Sequence, residues 1–200
     1  MKLDKHFIEV LLGVEKINKY LAHTKTVLKH KRIVFSLMRK CGYGWRGFWH
    51  DMSKFSPTEF ISSAKYFQGN KSPIEKEKEE IGYSNAWLHH KGHNKHHWEY
   101  WTDFGKDGEV IVYKMPWKYV VEMVCDYVAA GKTYSKEKWT QHEPLKYHTK
   151  MKSQRHYHED TLWLLETFLE IIDIYGLERF IRTVKNKGYL YEEYLERYIP

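Results

Sequence analysis

This 200-residue chain has little cysteine, little proline and no long apolar run. Its two cysteines, Cys41 and Cys125, lie outside any Cys-x-x-Cys pair, which excludes a disulfide framework and a cysteine-based zinc or redox motif. We therefore expect buried free thiols. The longest apolar runs, such as 86–88 and 110–113, fall far short of the roughly 18 residues needed to cross a bilayer, and the N-terminus lacks a signal peptide's uncharged apolar stretch. These absences predict a cytoplasmic protein without a membrane partner.

Charge and composition point to a folded, basic protein. The chain has 33 Lys and Arg against 26 Asp and Glu, a net charge of +7, and 42% of its residues are hydrophobic, which excludes wholesale disorder. The positive balance suits an anionic partner such as a phosphate-containing small molecule, a nucleotide or a nucleic acid, without distinguishing them. No proline-rich or glycine-rich linker divides the chain, so we expect a single domain over 1–200.

Apolar periodicity in the first half predicts helices. Three- and four-residue spacing over 4–38 indicates one long helix or two consecutive ones, ended by the glycine-rich sequence CGYGWRG. A short helical segment is expected over 49–55. Ser56 and Ser72 are each followed by proline, a typical helix start, and predict helices to about Phe67 and about Lys91. The run EKEKEE in the second of these is expected to be a solvated face.

The second half is also predicted to be mainly helical. Helices are expected over 116–130, 135–147, 153–174, 177–187 and 191–198. Glycines between 102 and 115 indicate a short hairpin or an ordered loop, so any strand is minor. The fold class is therefore all-α, with a helical extension after about residue 150.

Histidine is the anomaly of the composition, with 13 in 200 residues and five of them between 89 and 97. If a helix continued through Gly92, His90, His93 and His97 would share one face, while His89, His93 and His96 would share an overlapping one. The cluster is either a set of metal or phosphate ligands or a hydrated cationic face beside two tryptophans. The sequence leaves these alternatives open.

A second pattern joins residues from separate predicted helices. An adjacent pair, His50 and Asp51, is preceded by His30 on an upstream helix and followed by Asp126 on a later one. A divalent metal needs neutral imidazoles and carboxylates that converge from separate helices, and a bundle core allows this. These four residues are the predicted metal ligands, against the alternative that they are unrelated surface or capping residues.

Two glutamates lie near this pattern. Glu122 is one helical turn before Asp126 on an otherwise apolar helix, where a carboxylate needs a cation or a positive partner. It is predicted either to accept a hydrogen bond from a ligating imidazole or to act as a catalytic acid or base, and the sequence does not separate these roles. Glu59 is a weaker candidate, since a capping box already explains it.

The sequence HDMSK at 50–54, with the upstream His30 and the downstream Asp126, resembles the HD-domain superfamily of metal-dependent phosphohydrolases. The resemblance implies an HD-like helical core over about 25–135, with Lys54 against the scissile phosphate. It also implies that His90 and His97 complete a dinuclear site. The sequences HKxxV, HDMSKF, HHxxxNKHHWEYW and EMVCDY are similar as well to an uncharacterised bacterial and phage family of unknown function.

The leading hypothesis is a metal-dependent phosphohydrolase that acts on a nucleotide or another phosphate ester through a metal-activated water, with Lys54 and Glu122 as catalytic residues. The expected cofactor is one or two divalent ions: Mn, Fe, Co, Ni or Zn, or else Mg. One alternative is an HD-type di-iron oxygenase. Another is a non-enzymatic basic module that binds nucleic acid or protein and holds a structural metal.

Overall fold

A computed structural model describes residues 5–197 and contains ten α-helices in that range, which confirms the all-α prediction. Asp4 and Tyr198, the ends of two predicted helices, lie outside the described residues. The helices are α1 (Lys5–Lys40), α2 (Gly44–Trp49), α3 (Pro57–Tyr66), α4 (Pro73–Ile81), α5 (Asn85–His93), α6 (Trp117–Tyr134), α7 (Glu143–Met151), α8 (Glu159–Tyr175), α9 (Leu177–Asn186) and α10 (Tyr189–Glu196).

The first half differs from the sequence prediction at two breaks. The segment predicted as one helix over 49–55 is instead the end of α2, a bend at His50 and Asp51, and a 3-10 helix Met52–Phe55. The helix predicted from Pro73 to Lys91 is two helices. Gly82 ends α4 in the left-handed conformation, and the Ser84 hydroxyl accepts the first hydrogen bond of α5.

The EKEKEE run of α4 is predicted to be a solvated face, but one of its glutamates is buried. Glu77 is buried, and its carboxylate accepts hydrogen bonds from the Ser62 hydroxyl (2.6 Å), the Ser84 hydroxyl (2.5 Å) and the Asn85 backbone N–H (3.2 Å). Because these donors come from α3 and from the start of α5, Glu77 joins three helices.

In the second half, two predicted helices start later than expected. A 3-10 turn at Lys136–Lys138 precedes α7, which begins only where Pro144 occupies the first turn. Similarly, α8 begins at Glu159, because the His158 side chain accepts a hydrogen bond from the Asp160 N–H and caps it. The two short strands, β1 (Thr102–Phe104) and β2 (Val110–Val112), form the predicted minor hairpin, with Thr102 opposite Val112.

Helix α6 lies at the centre of the molecule and has two different faces. Its valines at 121, 124 and 128 are fully buried in a core shared with α1, α8 and α9. Glu122 and Asp126 face the opposite way, toward α1, α2 and the segment that follows α5. Helix α6 therefore separates the polar site on one of its faces from the apolar core on the other.

Helices α8 and α9 contribute Phe168 and Phe180 to the same core as α6. The predicted boundaries of a core over 25–135 and an extension after 150 stay a prediction. Cys41 and Cys125 are buried free thiols, as expected. No helix within 5–197 is long and apolar enough to span a membrane.

Candidate metal centre

The site is built around the bend that carries His50 and Asp51. Asp51 has φ 54° and ψ 30°, a left-handed conformation that aspartate tolerates better than most residues. The Lys31 ammonium donates to the carbonyls of Phe48 (2.5 Å) and His50 (2.6 Å), which satisfies the end of α2. The bend therefore turns both side chains into the protein, where His50 is 1% and Asp51 2% exposed.

Close packing of α2 on α1 holds this bend in place. Gly47 lies against α1, and a Cβ at this position would come within 2.6 Å of the Met38 Cβ. Only glycine allows that approach. The glycines of the CGYGWRG sequence thus do more than end α1, since Gly47 lets α2 carry His50 toward the partners on α1.

The four predicted ligands form the first donor group. Ligand atoms of His30, His50, Asp51 and Asp126 all lie within 4.8 Å of one another. His30 Nε2 is 2.9 Å from Asp126 Oδ1, and His50 Nε2 is 3.3 Å from Asp51 Oδ2 and 3.6 Å from Asp126 Oδ1. The structure thus brings together residues from α1, the α2 bend and α6.

A second donor group shares Asp51 with the first. Asp51, His90, His96 and His97 also place ligand atoms within 4.8 Å of one another. Asp51 Oδ1 is 3.3 Å from His90 Nε2 and 3.5 Å from His96 Nε2, whereas Oδ2 faces His30 and His50. The two oxygens of one carboxylate therefore face two different sets of imidazoles.

Several of these buried atoms have no hydrogen-bond partner among the described residues. This is the arrangement that a metal satisfies, because ligands of one ion crowd together without donating to one another, and an orphaned buried polar atom is otherwise costly. The donor set fits a divalent ion, so the buried groups can hold a metal. The atoms without a hydrogen bond are His50 Nε2, Asp51 Oδ1, His96 Nε2, His97 Nε2 and also His30 Nε2, whose 2.9 Å contact with Asp126 Oδ1 lacks hydrogen-bond geometry.

Glu122 orients two of the imidazoles by contacting their Nδ1 atoms, on the side away from the centre. Its Oε1 is 2.9 Å from His50 Nδ1 and 3.5 Å from His96 Nδ1, so the Nε2 atoms of both rings face the centre. Arg46 Nη1 donates to the other oxygen of Glu122 at 2.9 Å. A carboxylate that accepts from Nδ1 fixes the tautomer in which Nε2 is free to bind a metal. This geometry favours the hydrogen-bond acceptor role of the two predicted for Glu122.

Glu59 does the same for the other donor group. Its carboxylate is 2.8 Å from His90 Nδ1 and 2.7 Å from His89 Nδ1. The Ser56 hydroxyl caps α3 as predicted, yet the Glu59 side chain is buried against α5, and the capping box does not account for it. From the sequence, Glu59 is a weaker candidate than Glu122, but the structure places Glu59 beside His90. The sequence could not show this, because only tertiary packing brings α3 against α5.

Lys54 lies at the open edge of the centre. Its ammonium contacts Asp51 Oδ2, and its side chain is 29% exposed, against 16% for Asp126 and 10% or less for His30, His50 and His90. Burial lowers the pKa of Lys54, but the charge of Asp51 outweighs burial and raises it. A positive charge therefore stands where solvent reaches the donor groups.

Charges around the centre favour ionised carboxylates but act differently on the imidazoles. Burial raises the pKa of Asp51, but His50 and Lys54 outweigh it and hold that pKa well below its usual range. Burial likewise raises the pKa of Glu122, yet hydrogen bonds from His50 and His96 lower it to about 2. Burial lowers the pKa of His30, whereas Asp51 and the other carboxylates around His50 outweigh burial and raise the pKa of His50 well above its usual value. Because ionised carboxylates and neutral imidazoles are the forms that bind metal, a metal bound at His50 would displace a proton.

The histidine cluster takes a different shape from the predicted helical face. Helix α5 ends at His93, because Asn94 breaks it and its side chain donates to the His90 carbonyl at 2.8 Å. His93 is exposed and stacks on His89 outside both donor groups. His96 instead joins the centre beside the predicted His97. The resemblance selected only His90 and His97, and a continuous helix would have grouped His96 with His89 and His93 instead.

Comparison with known proteins identifies a family but no activity. The sequence profile of a family of unknown function (DUF5662) matches residues 19–171. The match extends beyond the 25–135 expected for such a family and includes α7 and most of α8. No curated protein and no solved structure matches the chain.

Proposed function

We propose that this chain, which belongs to the DUF5662 family, is a metal-dependent phosphohydrolase that acts on a nucleotide or another phosphate ester. The observation that carries the proposal is Asp51, whose two oxygens face two donor groups while Lys54 contacts it from the open edge. This juxtaposition of a dinuclear ligand set and an accessible cation suits an anionic substrate. It also agrees with the resemblance of HDMSK to the HD superfamily.

The donor set favours a transition metal over magnesium. Five imidazoles and two carboxylates surround the centre, and imidazole suits Zn, Fe, Co, Ni and Mn better than Mg²⁺, which prefers oxygen ligands. Bound there, such an ion would lower the pKa of a water and polarise a phosphoryl group. Each donor group would supply the ligands for one ion, and Asp51 belongs to both groups.

The chain's own residues supply binding and orientation. Lys54 is placed to contact a phosphoryl oxygen at the open edge and to offset the charge that develops there. Glu122 and Glu59 keep the Nε2 atoms of His50 and His90 directed at the centre. Arg46 in turn donates a hydrogen bond to Glu122 and carries the opposite charge. The prediction that Glu122 is itself a catalytic acid or base is not retained in this proposal.

The test begins with metal content by elemental mass spectrometry on protein purified without a histidine tag. We expect one or two transition metals per chain, and none in the His50→Ala/Asp51→Ala variant. A panel of phosphomonoesters, nucleotides and short oligonucleotides should then show turnover that Lys54→Met reduces without removing the metal. Bound metal without turnover of any phosphate ester would contradict the proposal.

A di-iron oxygenase is the second candidate, because the second donor group contributes three imidazoles from 90–97. Iron as the bound metal, with oxygen uptake that depends on an organic substrate, would favour this candidate. Turnover of a phosphate ester under anaerobic conditions would favour hydrolysis instead.

A further inference from the structure

A second polar cluster lies around Arg155, in the extended segment between α7 and α8. Its guanidinium Nη1 donates to the hydroxyls of Tyr127 and Tyr157, the latter at 3.3 Å, and Nη2 donates to the Tyr147 hydroxyl at 2.8 Å. The same guanidinium stacks over the rings of Tyr147 (5.1 Å) and Tyr127 (5.5 Å). Residues from α6, α7 and the segment before α8 therefore hold one half-buried cation in place.

The charge of Arg155 has no carboxylate partner among the described side chains. The neighbouring Glu166 is occupied by Lys152 (2.7 Å) and by His148 Nε2 (3.2 Å). Glu99 interacts with Arg155 only at longer range, and burial raises the pKa of its carboxyl. A partly desolvated cation without a counter-ion is costly, so a mobile anion would stabilise this cluster.

Hydrogen-bond accounting shows free donors at the same place. A guanidinium has five N–H donors, and only three of them reach phenol oxygens here. Each of those phenol oxygens accepts from Arg155, which leaves its own proton free to donate. The hydroxyls of Tyr127 and Tyr157 are 3.2 Å apart, so one of these two protons is used between them. The Tyr147 proton and the remaining guanidinium donors stay available to a ligand, and Tyr147 is exposed.

We infer that Arg155 and the phenols of Tyr127, Tyr147 and Tyr157 form a binding site for an anionic group, a phosphate or a carboxylate. A planar guanidinium fixed by three phenols is preorganised for bidentate recognition of such groups. Tyr127 directly follows Asp126 on α6, so this helix contributes a residue to each of the two sites. The anion site does not rest on the proposed function.

The test is calorimetric titration of the full chain, as purified, with inorganic phosphate and separately with acetate. One binding phase should persist in the His50→Ala/Asp51→Ala variant and weaken at least tenfold in Arg155→Gln. Arg155→Lys should weaken it partly, since lysine keeps the charge but not the fork. Tyr147→Phe should weaken it severalfold. The control Lys150→Gln, which removes an exposed cation of α7, should leave it within twofold.

The outcomes separate this site from the metal centre. Phosphate binding that disappears entirely in His50→Ala/Asp51→Ala, or that Arg155→Gln leaves unchanged, would overturn the inference. Binding of phosphate but not acetate would identify the ligand group as a phosphate, and the reverse as a carboxylate. If Arg155→Gln fails to fold, as judged by circular dichroism, the graded effects of Arg155→Lys and Tyr147→Phe decide the question. Failure of the hydrolase assays would not affect this phase.

Discussion

Two buried carboxylates, Glu77 and Asp51, have nearly the same exposure, 1% and 2%, but very different surroundings. Glu77 accepts three hydrogen bonds from hydroxyl and backbone donors, so its charge is satisfied by the fold alone. Within the part of the chain that the structure describes, Asp51 Oδ1 has no hydrogen-bond partner, and it lies 3.5 Å from His96 Nε2, which has none either. The difference teaches that burial of a carboxylate does not by itself identify a functional site. Several buried polar atoms without hydrogen-bond partners at one place are the better indicator.

The largest effect is expected at the shared carboxylate. Asp51→Asn keeps the shape but removes the charge and one metal-binding oxygen. We expect metal content to fall to a small fraction of the wild-type value and turnover to fall by more than about 100-fold, since even the loss of an outer carboxylate costs roughly 10–100-fold. Elemental analysis and steady-state kinetics measure both. An Asp51→Asn protein with full metal content would remove the distinction between Asp51 and Glu77.

Glu122 should show the next effect, through the imidazoles it orients. Glu122→Gln weakens acceptance from His50 and His96 and leaves Arg46 without its partner. We expect metal affinity to fall about 10–100-fold while the metal-loaded variant keeps measurable activity. Competition with a chromophoric chelator gives the affinity. Complete loss of turnover at full metal occupancy would instead indicate that Glu122 transfers protons, the role the sequence also allowed.

Glu77 provides the matched control for a structural carboxylate. Glu77→Ala leaves the Ser62 and Ser84 hydroxyls and the Asn85 N–H without their acceptor. We expect a loss of about 1–3 kcal/mol in the free energy of unfolding, because buried donors become unsatisfied. Denaturant titration measures this loss, and the metal content of the folded fraction should match wild type.

His23 extends the comparison to an imidazole, since neither of its ring nitrogens has a hydrogen-bond partner or an ion pair with a carboxylate among the described residues. It lies between the rings of Phe60 and Phe67, and burial, with a smaller contribution from Lys54, lowers its pKa from 6.5 to about 4. The unfolded chain therefore binds a proton that the folded one does not between these pH values, and stability falls as pH falls from 6.5 toward 4.

His23→Phe should remove this part of the pH dependence. The difference in unfolding free energy between wild type and variant is expected to change by roughly 2 kcal/mol between pH 7 and pH 4.5, given about 1.4 kcal/mol per pKa unit. Chemical denaturation at several pH values measures it. Parallel stability curves for the two proteins would show that His23 titrates normally.

The predictable part of the fold and site came from local signals. Periodicity and the Ser-Pro starts at 56 and 72 located α1, α3 and α4, and the spaced His30, His50, Asp51 and Asp126 converge as predicted, although their roles await experiment. The errors fell at helix ends inside the predicted segments. The helix predicted over 73–91 ends at Gly82 and restarts at Asn85, and the resemblance that selected His90 and His97 left out His96, which follows the end of α5 at Asn94.

The sequence by itself determined the all-α class and the free thiols and was enough to predict a metal site. These predictions need only the composition and the spacing of residues along the chain. Only the tertiary structure decided which histidines meet, that Glu59 and Glu122 contact their Nδ1 atoms, and that Arg155 has no carboxylate partner within 5–197. The contacts of Glu59 with His90 and of Glu122 with His50 join residues 31 and 72 positions apart in the chain. Spacing along one helix cannot specify them, since they arise from how α1, α3, α5 and α6 pack together.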